Sequence, residues 1–121
     1  MNTKSLEKSK CVNLTFHGVD TEASIYLNHK LLGDTDNMFL RYSYEVTNLL
    51  QAEDNLLEVK IKSPIYAARA KAQKQEELGL SVPPDCPPER YHGECHMNML
   101  RKMQASFGWD WGLAAPSMGL W

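Results

Sequence analysis

Between residues 12 and 62, apolar and polar side chains alternate with a period of two, in short runs separated by turn-forming residues. In VNLTFH, residues Val12, Leu14 and Phe16 fall on one side of an extended chain, as in a strand with one buried face. The pattern recurs in TEASIYLNHKLLG, RYSYEV and LLEVKIK. We therefore predict about five short strands, which favours an antiparallel β-sandwich or jelly roll over βαβ units.

The alternation also predicts which side chains of the later strands point inward. They are Ala23, Ile25 and Leu27, then Tyr42, Tyr44 and Val46, and finally Leu57, Val59 and Ile61. The segments GVD, NHK and QAEDN are predicted turns, and GDTDN a polar loop, since these residue types favour turn conformations.

One helix is predicted at about residues 65–78, because IYAARAKAQKQEEL is rich in helix-forming residues. Ser63 and Pro64 suit its N-cap and first position, and Gly79 suits the position after its end. Its apolar stripe is weak, so we expect a surface helix. Residues 79–95 hold four of the six prolines and are expected to be loop, whereas HMNMLRKMQASF fits either a short helix or an irregular strand.

Composition excludes several classes of partner. The net charge is −2 without a basic cluster, so no nucleic-acid partner is expected. No apolar run approaches the ~18 residues of a transmembrane helix, so no membrane association is expected. The first ten residues, MNTKSLEKSK, lack the apolar region of a signal peptide.

Motifs for metal-dependent or nucleophilic chemistry are missing from the sequence. Cys86, His92, Cys95 and His96 fall close together, but their spacing matches no zinc-binding pattern, so no metal and no cofactor is expected. The sequence holds no GxSxG, HExxH or phosphate-binding loop.

Three cysteines are present: Cys11, Cys86 and Cys95. The last two bracket CPPERYHGEC, and their spacing allows either a disulfide or two free thiols. Asn13 begins an NLT glycosylation triplet, although its neighbours are predicted to form a strand.

The stretch FGWDWG, residues 107–112, carries the clearest functional signal. Indole faces stack on the C–H faces of a pyranose, and a carboxylate accepts hydrogen bonds from adjacent sugar hydroxyls. Trp109, Asp110 and Trp111 are thus candidate sugar-binding residues. A structural loop, with the indoles filling the end of a sandwich, is the alternative on chemistry alone.

The run NLTFHGVDTEASIYLNHKLLGDTDNMFLRYSYEVTNLL resembles the N-terminal sugar-binding domain of glycoside hydrolase family 2. The later VPPDCPPERYHGECHMNMLRKMQASFGWDWG…GLW is similar to the lysosomal branch of that family that acts on β-mannosides. The resemblance runs from about Val12 to Trp121. It implies a mainly β fold, part of a galactose-binding-like jelly roll, with the short surface helix at about 65–78.

The resemblance also implies an activity and a set of roles. The reaction is hydrolysis of terminal, non-reducing β-D-mannose from glycoprotein-derived oligosaccharides, with retention of configuration. Its two carboxyl groups, ~5 Å apart, belong to a barrel domain that would be this chain's partner, so no catalytic residue is expected here. Trp109, Asp110 and Trp111 would contact the mannose, Cys86 would pair with Cys95, and the location would be the lysosome.

Residues 1–121 are accordingly expected to form a single, incomplete domain. Leu113 replaces the proline that usually follows WDWG in the family. Two alternatives remain open: a non-catalytic carbohydrate-binding module, and a non-functional truncated paralogue.

Overall fold

The computed structural model describes residues 11–81, 86, 94–108 and 115–121. Within these ranges the chain is mainly β with one α-helix, as the sequence predicts. The strands are β1 (Asn13–Phe16), β2 (Val19–Asp20), β3 (Ala23–Leu27), β4 (Lys30–Thr35), β5 (Tyr42–Glu45), β6 (Leu57–Ile61) and β7 (Gly119–Leu120). The helix α1 covers Pro64–Glu77, and two 3₁₀ turns cover Met97–Met99 and Gln104–Phe107.

Among the described residues the strands form three antiparallel sheets. One sheet has the order β4-β3-β6, and two pairs are β1-β5 and β2-β7. In the three-stranded sheet, Ile25 lies opposite Gly33 on one side and Val59 on the other. Asn28 and His29 link β3 to β4 with positive φ angles, so the predicted NHK turn is confirmed.

The core lies between the three-stranded sheet and the β1-β5 pair. Its buried members are Phe16, Val19, Ala23 and Ile25, and partly buried side chains pack around them, namely Leu14, Leu32, Tyr42, Tyr44, Val59 and Ile61. The rings of Phe16 and Tyr44 meet edge to face with centroids 6.5 Å apart. The sheets thus pack as a β-sandwich, and the alternation identified its inward positions.

One inward assignment was wrong. Leu57 is 43% exposed, although the alternation places it with Val59 and Ile61. Leu57 is the first residue of β6, which is an edge strand of its sheet. A side chain at the corner of a sheet has few neighbours to cover it.

Two predicted irregular segments are strands instead. Val19 and Asp20, within the predicted GVD turn, form β2 and pair with Leu120 and Gly119. β4 continues through Gly33 to Thr35, into the predicted polar loop. β2 exists because it pairs with a strand about 100 residues away, whereas β4 is extended by continued pairing with the neighbouring β3.

The helix begins and ends as its sequence predicts. Ser63 precedes it, Pro64 is its first residue, and Gly79 follows its end with φ +74°. The N–H of Gly79 donates to the carbonyl of Glu76, and that of Leu80 donates to Gln75. These two bonds are a Schellman motif, which satisfies the last carbonyls of the helix. The buried face consists of small residues, Pro64, Ala67, Ala68 and Ala72.

Candidate functional site

The candidate sugar-binding residues Trp109, Asp110 and Trp111 lie outside the described residues. The structure does describe the chain on both sides of them, residues 104–108 and 115–121. Contacts among the described residues hold these two flanks.

The first flank is anchored by Phe107, which is 2% exposed. Its ring packs in a second apolar cluster with Ala67 and Ala68 of α1 and with Leu100. The next residue, Gly108, has φ +108°, a backbone conformation that favours glycine. The first flank thus ends in a buried anchor followed by a glycine in a conformation that other residues rarely adopt.

The second flank is tied to the first flank and to the sheet. The N–H of Ser117 donates to the carbonyl of Ser106, with N and O 3.0 Å apart. Strand β7 then pairs with β2, and the N–H of Trp121 donates to the carbonyl of Gly18 at 3.1 Å. The indole of Trp121 lies directly against Gly18.

A buried ion pair connects both flanks to β2. The Nζ of Lys102 is 2.5 Å from Oδ2 of Asp20 and 2.7 Å from the carbonyl oxygen of Ser117. The side chain of Lys102 is 0% exposed and that of Asp20 is 7% exposed. The same ammonium lies 5.6 Å from the ring centroid of Phe107. One charged group thus contacts β2, the anchor of the first flank and the backbone of the second.

The carboxylate of Asp20 is held at its other oxygen as well. The hydroxyl of Thr21 donates to Oδ1 of Asp20, and the peptide bond between these residues is cis. The carbonyl of Thr21 accepts a 2.8 Å hydrogen bond from the hydroxyl of Thr35, which in turn accepts from the N–H of Ala23 at 3.1 Å. The ion pair is therefore connected by hydrogen bonds to β3 and β4 of the three-stranded sheet.

Sequence reasoning did not identify Asp20 or Lys102. Asp20 falls in a predicted turn. Lys102 falls in HMNMLRKMQASF, whose sequence fits either a short helix or an irregular strand. The two residues are 82 positions apart. No local periodicity signals such a contact.

A disulfide joins Cys86 to Cys95, with their Cα atoms 4.4 Å apart, as the family resemblance implies. The neighbouring Glu94 is buried and accepts hydrogen bonds from Arg69 of α1, with Nε and Nη2 each 3.1 Å from Oε2. The disulfide segment is thereby fastened to the same helix that packs against Phe107. Cys11 is exposed and is a free cysteine.

Of the residues considered for metal binding, Cys86 and Cys95 form the disulfide. Cys86, Cys95 and His96 place their ligand atoms within 4.8 Å of one another. Both sulfurs belong to the disulfide and are not thiolates, so among these three only His96 retains a ligand atom. His92 lies outside the described residues.

Two further features lie away from the site. Asn13 is exposed on β1, and its glycosylation stays a prediction. In the core, burial raises the pKa of the Tyr44 hydroxyl, and electrostatic interactions with Tyr42 and Asp34 raise it further.

In the described ranges no helix combines the length and apolar character that crossing a bilayer requires.

The antiparallel sandwich with one helix is the architecture of a galactose-binding-like β domain. The whole chain, residues 1–121, matches the family described as glycosyl hydrolase 2 galactose-binding domain-like, and it belongs to that family.

Several proteins to which this chain is similar are named β-mannosidases. A β-mannosidase from Capra hircus is 47% identical over 110 residues, covering 91% of this chain and 12% of the relative. A probable β-mannosidase from Caenorhabditis elegans is 41% identical over 108 residues, covering 88% of this chain and 12% of the relative. The crystal structure of a β-D-mannosidase from Dictyoglomus thermophilum superposes with a TM-score of 0.74 at 36% identity, covering 96% of this chain and 13% of that one. The chain thus spans about an eighth of the length of these relatives.

Proposed function

We propose that this chain is part of the N-terminal sugar-binding domain of a β-mannosidase, a retaining glycosidase that removes terminal, non-reducing β-D-mannose from glycoprotein-derived oligosaccharides. The observation that carries the proposal is the match of 91% of the chain to a protein named β-mannosidase, at 47% identity. The match covers 12% of that relative. We therefore assign to residues 1–121 only a share of substrate binding. The two catalytic carboxylates belong to the rest of the enzyme.

Within this proposal the WDW segment is one wall of the mannose subsite. The carboxylate of Asp110 accepts hydrogen bonds from sugar hydroxyls away from the cleaved bond, and the indoles of Trp109 and Trp111 shape the pocket. Contacts of this kind supply binding energy that orients the sugar for the catalytic residues.

The described flanks support this role because they are fixed to rigid elements. Phe107 is anchored in the cluster with α1, and Ser117 is bonded both to Ser106 and to Lys102. Fixing the two ends of a segment reduces the conformational entropy that the segment can lose when a ligand binds.

The proposed partner is the catalytic barrel of the same enzyme, and exposed apolar side chains near the flanks support it. Met103 is 53% exposed and Met118 54% exposed, while Phe39 and Leu40 are 66% and 51% exposed. The N–H of Met103 lies 2.9 Å from Sδ of Met38, which brings the segment before Phe39 next to the first flank. Apolar side chains in such positions are what a second domain would cover.

A chimeric enzyme tests the proposal. Residues 11–121 replace the matching segment of the Capra hircus β-mannosidase, and kcat/KM is measured with an aryl β-D-mannoside. We expect the chimera to be active, and Asp110→Asn to lower kcat/KM by about 10- to 100-fold, since hydrogen bonds to a charged group are each worth about 1.5–3 kcal/mol.

Asp54→Asn is the matched control, because Asp54 is an exposed aspartate outside the flanks. It is expected to keep the activity of the parent chimera. An inactive chimera that is folded, or an Asp110→Asn chimera as active as its parent, would contradict the proposal.

We also propose a lysosomal location. The Cys86–Cys95 disulfide supports passage through an oxidising compartment, because cytosolic thiols are kept reduced. A fluorescent fusion of the complete polypeptide is expected to co-localise with an acidic-compartment dye. A diffuse cytosolic signal is the contrary result.

A further inference from the structure

We propose that Cys86, Cys95 and His96 form a binding site for a thiophilic divalent metal ion such as Zn²⁺ once the disulfide between the two cysteines is reduced. The two sulfur atoms and a ring nitrogen of His96 all lie within 4.8 Å of one another. The proposal concerns residues other than the candidate sugar-binding motif and does not rest on the proposed function.

The donor set of this cluster is one that zinc prefers. Two thiolates and one imidazole are ligands of tetrahedral zinc sites, with Zn–S bonds of about 2.3 Å and Zn–N bonds of about 2.0–2.1 Å. In such a site neighbouring ligand atoms are about 3.5–3.8 Å apart. Small side-chain adjustments therefore bring the three residues onto one ion, and a water molecule can fill the fourth position.

The imidazole of His96 is the observation that points to a ligand. Its Nδ1 atom is buried and has no hydrogen-bond partner among the described residues. Buried polar atoms in folded proteins are nearly always hydrogen-bonded, so an exception calls for a bound group or a function. A neutral imidazole carries one nitrogen lone pair, which is the group that a metal ion uses.

The backbone of His96 is held in place independently of the disulfide. Its N–H donates to Oε1 of Glu94 at 3.3 Å, and its carbonyl accepts from the N–H of Met99 at 2.9 Å. Glu94 is in turn bound by Arg69 of α1. None of these bonds involves a sulfur atom, so none is broken when the disulfide is reduced.

The change from disulfide to metal site balances in two steps. A dithiol reductant supplies two electrons and two protons, the S–S bond breaks, two thiols form, and the reductant becomes a disulfide. Zn²⁺ then releases both thiol protons to the solvent and binds the two thiolates and the neutral imidazole. Cys86 is exposed, so a reductant can reach the bond. The metal would join the same two segments that the disulfide joins.

Metal titration of the reduced chain is the test. The 121-residue chain carries Cys11→Ala, which removes the exposed free cysteine and leaves two thiols. After reduction with a dithiol and removal of that reagent, we expect one Co²⁺ per chain, with thiolate-to-metal charge-transfer absorption and the visible bands of a tetrahedral ion. Zn²⁺ should displace it. The oxidised chain should show neither feature, because its sulfurs are not thiolates.

His96→Ala tests the third ligand. We expect it to lower the Zn²⁺ affinity of the reduced chain, measured by competition with a chromogenic chelator, by at least about 10- to 100-fold. Losses of that size follow even from removing a group that only supports a metal ligand. His17→Ala, at an exposed histidine outside the cluster, is the matched control and should keep the parental affinity.

A titration in urea distinguishes a folded site from two thiols that bind metal in any conformation. We expect the Zn²⁺ affinity of the reduced chain to fall by at least about 10-fold when urea unfolds it, because the unfolded chain does not hold the three ligands together. Circular dichroism of the same samples reports the folded state.

Three results overturn the proposal. The reduced chain shows no thiolate-to-Co²⁺ absorption, or His96→Ala binds Zn²⁺ as tightly as its parent, or the affinity is the same with and without urea. None of them bears on the proposed function, which is tested by the activity of the chimeric enzyme.

Discussion

At Gly18 the backbone lies against the indole of Trp121, and no side chain fits between them. A Cβ at this position would lie 2.2 Å from Cζ2 of Trp121. We expect Gly18→Ala to lower the free energy of unfolding by about 1–3 kcal/mol, because the indole must move away from its contact with the backbone at Gly18. Urea unfolding followed by circular dichroism measures the change.

Gly119→Ala is the matched control, since a Cβ there meets no atom within 4 Å. It should leave the unfolding midpoint nearly unchanged. Equal midpoints for the two variants would show that the packing of Trp121 against Gly18 is not the constraint.

Tyr44 gives the domain a pH-dependent stability in the alkaline range. Burial raises the pKa of its hydroxyl above 10.0, with smaller contributions in the same direction from Tyr42 and Asp34. The folded state therefore keeps a proton that the unfolded chain loses, so stability is complete below about pH 10 and falls as the pH rises through the folded-state pKa. We expect Tyr44→Phe to reduce this fall in the free energy of unfolding between about pH 9 and pH 11.

The comparison variant is Tyr66→Phe, whose side chain is 74% exposed. Urea titrations of the three proteins at both pH values give the slopes. If Tyr44→Phe keeps the wild-type slope, Tyr44 is not the source of the alkaline loss.

Asp20 and Lys102 show why sequence patterns miss part of a site. Lysine is almost never fully buried unless it is paired, and the partner of Lys102 lies 82 positions away. The chemistry of Trp109, Asp110 and Trp111 is readable because the three residues are contiguous. The described residues on either side of them are held by contacts between positions far apart in the sequence, which no local pattern encodes.

The strands and the helix whose formation depends on nearby residues were predicted from the sequence. The strands that depend on pairing with residues far along the chain were not. β1, β3, β5 and α1 follow from alternation or from helix-forming residues and their end signals. β2 and β7 contain two residues each and exist because they pair with each other across most of the chain. Two residues carry no periodicity, so only the fold defines them as strands.

The C-terminal end of α1 depends on the left-handed conformation of Gly79. Its φ is +74°, and a Cβ there meets no atom within 4 Å, so the cost of a side chain is conformational. We expect Gly79→Ala to lower the free energy of unfolding by about 1 kcal/mol and Gly79→Asn by less, because asparagine tolerates this conformation better than alanine. Equal stability of the alanine variant and wild type in urea unfolding would contradict the Schellman ending.

The disulfide stabilises the connection between α1 and the first flank by closing a short loop. Cys86 and Cys95 are nine positions apart, a loop for which chain-entropy arguments give about 2–3 kcal/mol. Replacing both cysteines by alanine is expected to lower the free energy of unfolding by roughly that amount. Cys11→Ala, at an exposed free cysteine, serves as the control and should match wild type.

For the whole molecule, the proposed function gives this chain one side of a binding site, and hydrolysis needs the rest of the proposed enzyme. Mannose contacts from one wall of a pocket give little affinity, because association itself is costly. We expect titration of the 121-residue chain with mannose, followed by tryptophan fluorescence, to show a Kd above about 1 mM. Saturation at micromolar sugar, lost in Asp110→Ala, would instead identify an autonomous carbohydrate-binding module.

Under the proposed function, the WDW segment contacts the mannose of the substrate. The most direct measurement is a crystal structure of the chimeric enzyme with a mannose-configured inhibitor bound. We expect a carboxylate oxygen of Asp110 within about 2.6–3.0 Å of a sugar hydroxyl, with an indole of Trp109 or Trp111 lining the same pocket. An inhibitor bound in the barrel with Asp110 turned into the sandwich, out of reach of every sugar hydroxyl, would contradict it.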